Sequence, residues 1–202
     1  MTDAYNKVDA LIRYLNELQP LRKEIIDLGK KETFKIAVRK NEVLINPSHI
    51  CGDCLFFIVK GLVRAFIFDE GKDITAWFIN EHHLIGRIRN HGTLIPTYQE
   101  QYQALEESEL LILPYRFIDD MYEQFPETNI LARKLLAIHY HMSQERSILS
   151  RIPSAEMRYK QFKTGYSTIN SRVPLKFLAS YLGMRVETLS RIRKKEKLQA
   201  KA

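Results

Sequence analysis

Residues 173–195, VPLKFLASYLGMRVETLSRIRKK, place small, turn and apolar residues at the offsets a helix-turn-helix requires, and nothing else in the chain constrains its fold as tightly. Pro174 can open a helix, because its missing N–H is one the first turn leaves unpaired in any case, and Leu178, Ala179 and Leu182 then share a face. Gly183 ends that helix, since only glycine takes a left-handed corner cheaply, and Ala179 is small enough for a second helix to cross closely. In the second helix Val186, Leu189 and Ile192 recur at three-residue steps and are expected to face the first. Arg185, Glu187, Ser190, Arg191 and Lys194 are left on the outer face, the one a major groove would meet.

An ordinary helical hairpin with a solvated basic face would show the same periodicity, so the charge distribution has to decide. Residues 151–202 carry 13 Lys and Arg against 3 Asp and Glu, while residues 1–150 carry 18 against 21. A merely soluble surface mixes its signs. One basic end beside a near-neutral remainder calls for a polyanion, here double-stranded DNA.

A chain of 202 residues, 45% of them apolar, can bury a core of ordinary size. Its longest apolar runs, such as 55–59 and 110–113, are too short to cross a bilayer, and MTDAYNKVDALIRYL has no signal-peptide core, so a cytoplasmic location is expected. Two cysteines build no disulfide framework, and reduced thiols suit that compartment.

Val8, Leu11, Ile12, Leu15 and Leu18 mark an amphipathic helix, and a second over 21–28 is expected to stop at Gly29. The period then shortens. Stretches 34–38, 43–45, 55–59, 62–68 and 74–79 are rich in Val, Ile and Phe and separated by Lys-Asn, Pro-Ser, Lys-Gly and Glu-Gly turns, and 102–106 and 109–113 follow in the same style. These predict antiparallel strands closing into a β-roll or barrel that carries short helices.

A long helix is predicted from Pro126. Leu131, Leu135, Ile138, Met142 and Leu149 fall on alternating steps of four and three along it, a heptad seam expected to pair with a second copy of the chain. Leu136 and Tyr140 lie off the seam and are expected to pack on the β-roll, although a helix burying both stripes within its own chain would give the same pattern. Ile152-Pro153-Ser154 should break the helix and act as a hinge. The expected divisions are thus a β-roll over 1–125, a dimerisation helix over 126–152 and a helix-turn-helix unit over 153–202. The fold class is α+β.

That order resembles the Crp/Fnr family of bacterial transcription regulators over essentially the whole chain. Leu55-Phe56-Phe57-Ile58-Val59-Lys60-Gly61-Leu62-Val63-Arg64 is similar to the family's core hairpin. Ala179-Ser180-Tyr181-Leu182-Gly183 with Glu187-Thr188-Leu189-Ser190-Arg191 is similar to its DNA reader. The resemblance implies base contacts from Val186, Glu187 and Arg191, phosphate contacts from Arg185 and Thr188, a homodimer on a palindromic site, and RNA polymerase as a partner. Val186 replaces the family's commoner arginine and could meet a thymine methyl instead. With the chain ending soon after Lys201, the β-wing that follows the reader is reduced or absent.

The family's cyclic-nucleotide binders carry Gly-Glu for the ribose and Arg-Ser for the phosphate, where this chain has Gly86-Arg87 and approximately Tyr98-Gln99. An arginine reverses the charge at the ribose and no cation stands at the phosphate, so cyclic AMP is not expected to bind and no cofactor is implied. Arg87, Arg89 and His91 could hold another anion or be simply solvated.

Cys51-Gly52-Asp53-Cys54 spells C-x-x-C, but two cysteines are too few for the four-cysteine cluster of oxygen-sensing relatives, and the pair precedes a strand rather than a helix that would lower a thiol pKa. Inert thiols and a redox switch both remain open. His82 and His83 should point to opposite faces of a strand, and His139 and His141, two apart on a helix, cannot share a ligand, so no metal site is expected. No nucleophile elbow, phosphate loop or paired-carboxylate motif points to an enzyme. The reading is a sequence-specific DNA-binding regulator. Its rivals are a sensor or scaffold that binds DNA without sequence preference, and a thiol–disulfide protein using Cys51 and Cys54.

Overall fold

The computed structural model describes residues 2–44, 53–86 and 97–199. Two helices, α1 (Thr2–Leu18) and α2 (Lys23–Glu32), precede eight strands: β1 (Phe34–Val38), β2 (Val43–Leu44), β3 (Cys54–Lys60), β4 (Val63–Asp69), β5 (Lys72–Ile79), β6 (Leu84–Gly86), β7 (Gln101–Ala104) and β8 (Ser108–Pro114). Helices α3 (Tyr115–Gln124), α4 (Glu127–Arg151), α5 (Ala155–Gly165), α6 (Leu175–Tyr181) and α7 (Val186–Gln199) follow. Among the described residues no strand follows α7.

The strands form two four-stranded antiparallel sheets, ordered β1-β8-β3-β6 and β2-β7-β4-β5. Alternation decides what each side chain meets. Phe56 and Ile58 of β3, opposite Ile112 and Leu110 of β8, point between the sheets onto Val63, Ala65, Trp77 and Ile79. Phe57, Leu111 and Leu113 point the other way, under Val8 and Leu11 of α1. Because helices cover the outer face, β3 and β8 are apolar on both sides and read as continuous runs rather than alternating ones. Between β4 and β5 the two-residue loop Glu70-Gly71 has φ of 48° and 77°, the paired left-handed geometry of a tight hairpin turn.

Several expectations need correction. Helix α2 continues through Gly29 to Glu32, since no left-handed turn forms there and an isolated glycine lowers helix stability without ending it. Strand β6, only three residues long, and helices α3 and α5 were not anticipated. His82 and His83 lie in the turn before β6 instead of on a strand, with His82 at φ 65°.

Helix α4 stops at Arg151 because Pro153 pushes Ile152 into extended geometry, ψ 120°. Part of the expected seam is engaged within the chain itself. Leu131 is buried, Leu135 packs with the outer-face cluster beneath α1, and Leu149 packs with the core shared by the helices after α4. Ile138 and Met142 lie half-buried on that same face. Leu136, Tyr140 and Ile148 point outward, 54%, 61% and 56% exposed. Heptad spacing identifies a face that packs, but not what it packs on, and here Leu131 and Leu135 at its N-terminal end pack within the chain.

The β-roll and the helices after α4 share one core. Leu62, Phe78 and Leu105 join Phe162, Phe177, Leu178, Leu182 and Leu189 in a single buried cluster, with Phe78 5.1 Å from the Tyr181 ring and 6.1 Å from Phe162. Helix α6 lies against β5, where the Ser180 hydroxyl accepts from the Thr75 N–H at 2.9 Å.

Candidate nucleic-acid interface

Pro174 caps the N-terminus of α6 in extended geometry, as the sequence requires. At the other end Gly183 takes φ +60°, its N–H donates to the Ser180 carbonyl at 3.1 Å, and the Met184 N–H donates to Ala179 at 3.0 Å. This pair of bonds satisfies carbonyls the helix end would otherwise orphan, and Met184 tucks into the shared core as the accompanying apolar contact. Helix α7 starts three residues later. Leu178, Ala179, Leu182, Leu189 and Ile192 interlock, all buried.

The turn is held from beneath by Arg158. Its guanidinium donates to Leu182 O at 2.7 Å and Gly183 O at 3.3 Å at the end of α6, and to Ile152 O at 2.6 Å and Pro153 O at 3.1 Å past the end of α4. One cation therefore serves two helix C-termini, where the carbonyls carry partial negative charge. Arg193, on the inner side of α7, donates to Tyr159 Oη at 3.1 Å and to the Asn170 carbonyl at 3.3 Å. Lys163 pairs with Glu196 and Lys195 with Glu156. Basic composition gave no means of separating these internally used cations from the outward ones.

On the outer face Arg185, Glu187, Ser190, Arg191 and Lys194 are all exposed, and Thr188 is half-buried. Val186 is 39% exposed, which corrects its expected packing against the first helix: at the first position of α7 it projects beyond the end of α6. Among the described residues, the side chains of Arg185, Glu187, Arg191 and Lys194 make no hydrogen bond or ion pair, so their charged ends are available to a ligand.

A second constellation, which the sequence did not reveal, joins the β-roll to this reader. Arg64 of β4 is 2% exposed, yet its guanidinium forks onto the two oxygens of Asp73 and donates to Thr75 Oγ1 at 3.0 Å and Gln103 Oε1 at 2.8 Å. Its flat face lies 3.7 Å from the centre of the Phe177 ring of α6. Nearby, Arg172 contacts both Glu81 and Glu106. Burial works to raise the Glu81 pKa, but the bonds from Arg172 and from the Gly61 N–H outweigh it and hold the carboxyl down at about 2.

The region proposed for an effector is only partly within the described residues. Arg87, Arg89 and His91 lie outside them. Gly86 closes β6 at φ +145°, where a Cβ would stand 2.9 Å from the Cys54 carbonyl oxygen, so backbone approach alone accounts for this glycine. Tyr98 and Gln99 are exposed. Beside them Glu100 accepts from Trp77 Nε1 at 3.1 Å and from Tyr102 Oη at 3.4 Å, and Arg146 of α4 lies 4.8 Å from the centre of the Trp77 ring. Burial, then the Glu100 charge, raises the Tyr102 pKa, which keeps this phenol a donor.

Cys51 lies outside the described residues. Cys54 is buried in the intersheet core. His139 is half-buried, its pKa lowered by burial and then by His83 and Arg146, whereas His141 is exposed. Among the described residues no group of three His, Cys, Asp or Glu side chains could hold a metal ion, and no helix is long and apolar enough to cross a membrane.

Comparison with known proteins bears on this arrangement. The cyclic nucleotide-binding domain family matches residues 35–125. The transcriptional activator protein anr of Pseudomonas aeruginosa is 25% identical over 167 residues, covering 77% of this chain and 67% of that one. The fumarate and nitrate reduction regulatory protein of Vibrio cholerae is 28% identical over 151 residues, and the matched part spans 68% of this chain but only 59% of that relative. Among solved structures, FixK2 from Bradyrhizobium japonicum superposes with a TM-score of 0.68 at 17% identity, covering 83% of this chain and 86% of that one. A crp/fnr-family regulator from Eubacterium rectale gives 0.69 at 16%, covering 93% and 88%. These sequence relatives are transcription regulators, and the chain's β-roll, long helix and helix-turn-helix follow one another as in these solved structures, so the chain is similar to regulators of the Crp/Fnr type in fold and in the order of its parts.

Proposed function

We propose that the protein binds a roughly palindromic DNA site as a homodimer, each copy laying α7 in a major groove. The outer face of α7 carries the proposal, because the side chains of Arg185, Arg191 and Lys194 stand there without intramolecular partners, while Arg158, Lys163, Arg193 and Lys195 are used internally. Glu187 and Arg191 read bases, Val186 meets an apolar base edge such as a thymine methyl, and Arg185, Thr188, Ser190 and Lys194 hold the backbone. Two copies meet through the outward stripe of α4, Leu136, Tyr140 and Ile148, in place of the seam the heptad pattern suggested. Residues 1–125, 126–152 and 153–202 then act as β-roll, dimerisation helix and reader.

The regulator works in the cytoplasm alongside RNA polymerase and does not answer to cyclic AMP, because Arg87 and the Tyr98-Gln99 pair offer neither an acceptor for a ribose nor a cation for a cyclic phosphate. Sequencing the duplexes that the purified protein retains from a random pool tests the reading. A two-fold motif with half-sites about one helical turn apart supports it, and a pool that stays random favours DNA binding without sequence preference.

A further inference from the structure

Between α4 and α5 the chain has no helical ladder to keep its direction. Pro153 carries no N–H, Ile152 is extended, and the last bond of α4 runs from the Ile152 N–H to Leu149 O at 3.3 Å. Ser154 then caps α5, its hydroxyl accepting from the Met157 N–H at 3.3 Å. A joint of this kind bends unless side chains hold it.

Two contacts do so. Leu149, in the last turn of α4, packs on the core shared with α6 and α7. Arg158, half-buried in the first turn of α5, spans the joint: Nη1 reaches the Ile152 and Pro153 carbonyls, while Nε and Nη2 reach Leu182 and Gly183 at the turn of the helix-turn-helix. Because α7 begins at Val186, just past that turn, the guanidinium fixes where α7 points relative to the end of α4. These acceptors are uncharged carbonyls on two sides, and a planar fork with donors on several edges serves both sides at once where a lysine could not. Arg193 differs in this respect, since its bonds to Tyr159 and Asn170 stay within residues 153–202 and cross no joint.

We propose that Arg158 is a positioning residue that sets which half-site spacing the protein accepts on DNA. The proposal rests on the homodimer and two-fold site inferred above. There α4 carries the contact between copies and α7 carries the reading, so the joint at 152–154 decides how far apart, and at what rotation, the two α7 helices stand. Adding one base pair between half-sites displaces one from the other by about 3.4 Å and turns it by about 34°. A joint held on both sides resists that displacement, and one held by Leu149 alone yields to it.

The test uses the full chain and the two-fold duplex retained from the random pool, together with versions in which one base pair is inserted or removed at the centre. Binding is followed by fluorescence anisotropy, and the folding of each variant by circular dichroism. The wild type should weaken at least about tenfold on either altered spacing. Arg158→Gln should bind the original duplex less tightly and then hold all three within about threefold of one another. Arg158→Lys, which keeps the charge but not the fork, should fall between, and it serves as the milder variant should Arg158→Gln unfold. Arg193→Gln should keep the wild-type ratio between spacings whatever its effect on affinity. A wild type that selects no two-fold motif, or that shows no preference among spacings, would overturn the palindromic-dimer reading and this proposal with it. Wild-type discrimination retained by both Arg158 variants, or an equal relaxation in Arg193→Gln, would overturn the proposal alone. Loss of the fold in both Arg158 variants would do the same, leaving Arg158 a stabilising residue only.

Discussion

Arg172 forks onto Glu81 across the joint between reader and β-roll, with Nη2 2.7 Å from Oε1 and Nη1 3.1 Å from Oε2. The same guanidinium reaches Glu106, so one cation holds two carboxylates together, and its own pKa is raised by those bonds. A planar fork matched to carboxylate oxygens fixes orientation as well as distance, which a lysine could not do. The reader is thereby set at one angle on the β-roll, and with it the direction in which α7 faces.

Arg172→Ala leaves Glu81 and Glu106 as like charges at the joint and should cost about 2 kcal/mol of unfolding free energy. The folded Glu81 pKa of about 2 lies below its ordinary 4.5, so the native state favours the ionised form. Its contribution is fully present above pH 4.5 and fades as pH falls toward 2. Urea unfolding at pH 6 and pH 3 should show the wild type and Arg172→Ala closer in stability at pH 3, the difference trimmed by solvent screening at a site that is partly wet. An equal gap at both values would contradict the assignment.

Arg64 and Asp73 are paired unequally, since Arg64 is buried and the Asp73 side chain is 38% exposed. Asp73→Ala strands a guanidinium among Phe66, Phe177 and two neutral acceptors, and should cost about 3 kcal/mol. Arg64→Met returns Asp73 to water while keeping apolar contact with Phe177, and should cost only about 1 kcal/mol. Denaturant midpoints in the reverse order would contradict this account of the pair.

Much of this architecture is legible in the sequence, for reasons that differ from place to place. Phe34–Val38 was located to the residue because a strand there is bounded by turn residues, and Pro174 and Gly183 mark the ends of α6 by their backbone restrictions alone. Helix α3 escaped notice because it follows β8 without a turn signal, its N-cap being Pro114, the last residue of that strand. The docking of α6 on β5 was beyond reach, because Arg64, Asp73 and Phe177 are separated by long stretches of chain and each alone looks ordinary. The exposed face of α7 was legible; which cations of the reader are used internally was not, since Arg193 differs from Arg191 only by its place on the helix.

The outward stripe of α4 predicts where two copies meet. Leu136→Lys should shift sedimentation from dimer toward monomer at micromolar concentration while leaving the circular dichroism spectrum unchanged, because the new charge meets a dry interface only in the dimer. Leu135→Lys, facing the outer-face cluster beneath α1, should instead lower the melting temperature. A stable Leu135→Lys monomer, or a Leu136→Lys dimer, would return the interface to the heptad seam.

Cyclic AMP and cyclic GMP, titrated by calorimetry, should give no saturable heat up to millimolar concentration. Losing two charge-assisted contacts at about 1.5–3 kcal/mol each weakens binding by roughly two to four decades. Micromolar binding coupled to tighter DNA association would contradict the reading of residues 86–99.

The central claim, that α7 reads sequence through its outward side chains, is tested most directly by measuring Arg191→Ala and Lys194→Ala on a selected duplex and on random DNA across a salt series. Arg191→Ala should lose about 1–3 kcal/mol on the selected duplex, little on random DNA, and relax one position of each half-site. Lys194→Ala should weaken both duplexes alike and reduce the salt slope by about one. Equal losses for Arg191→Ala on selected and random DNA would contradict the claim that this helix specifies the site.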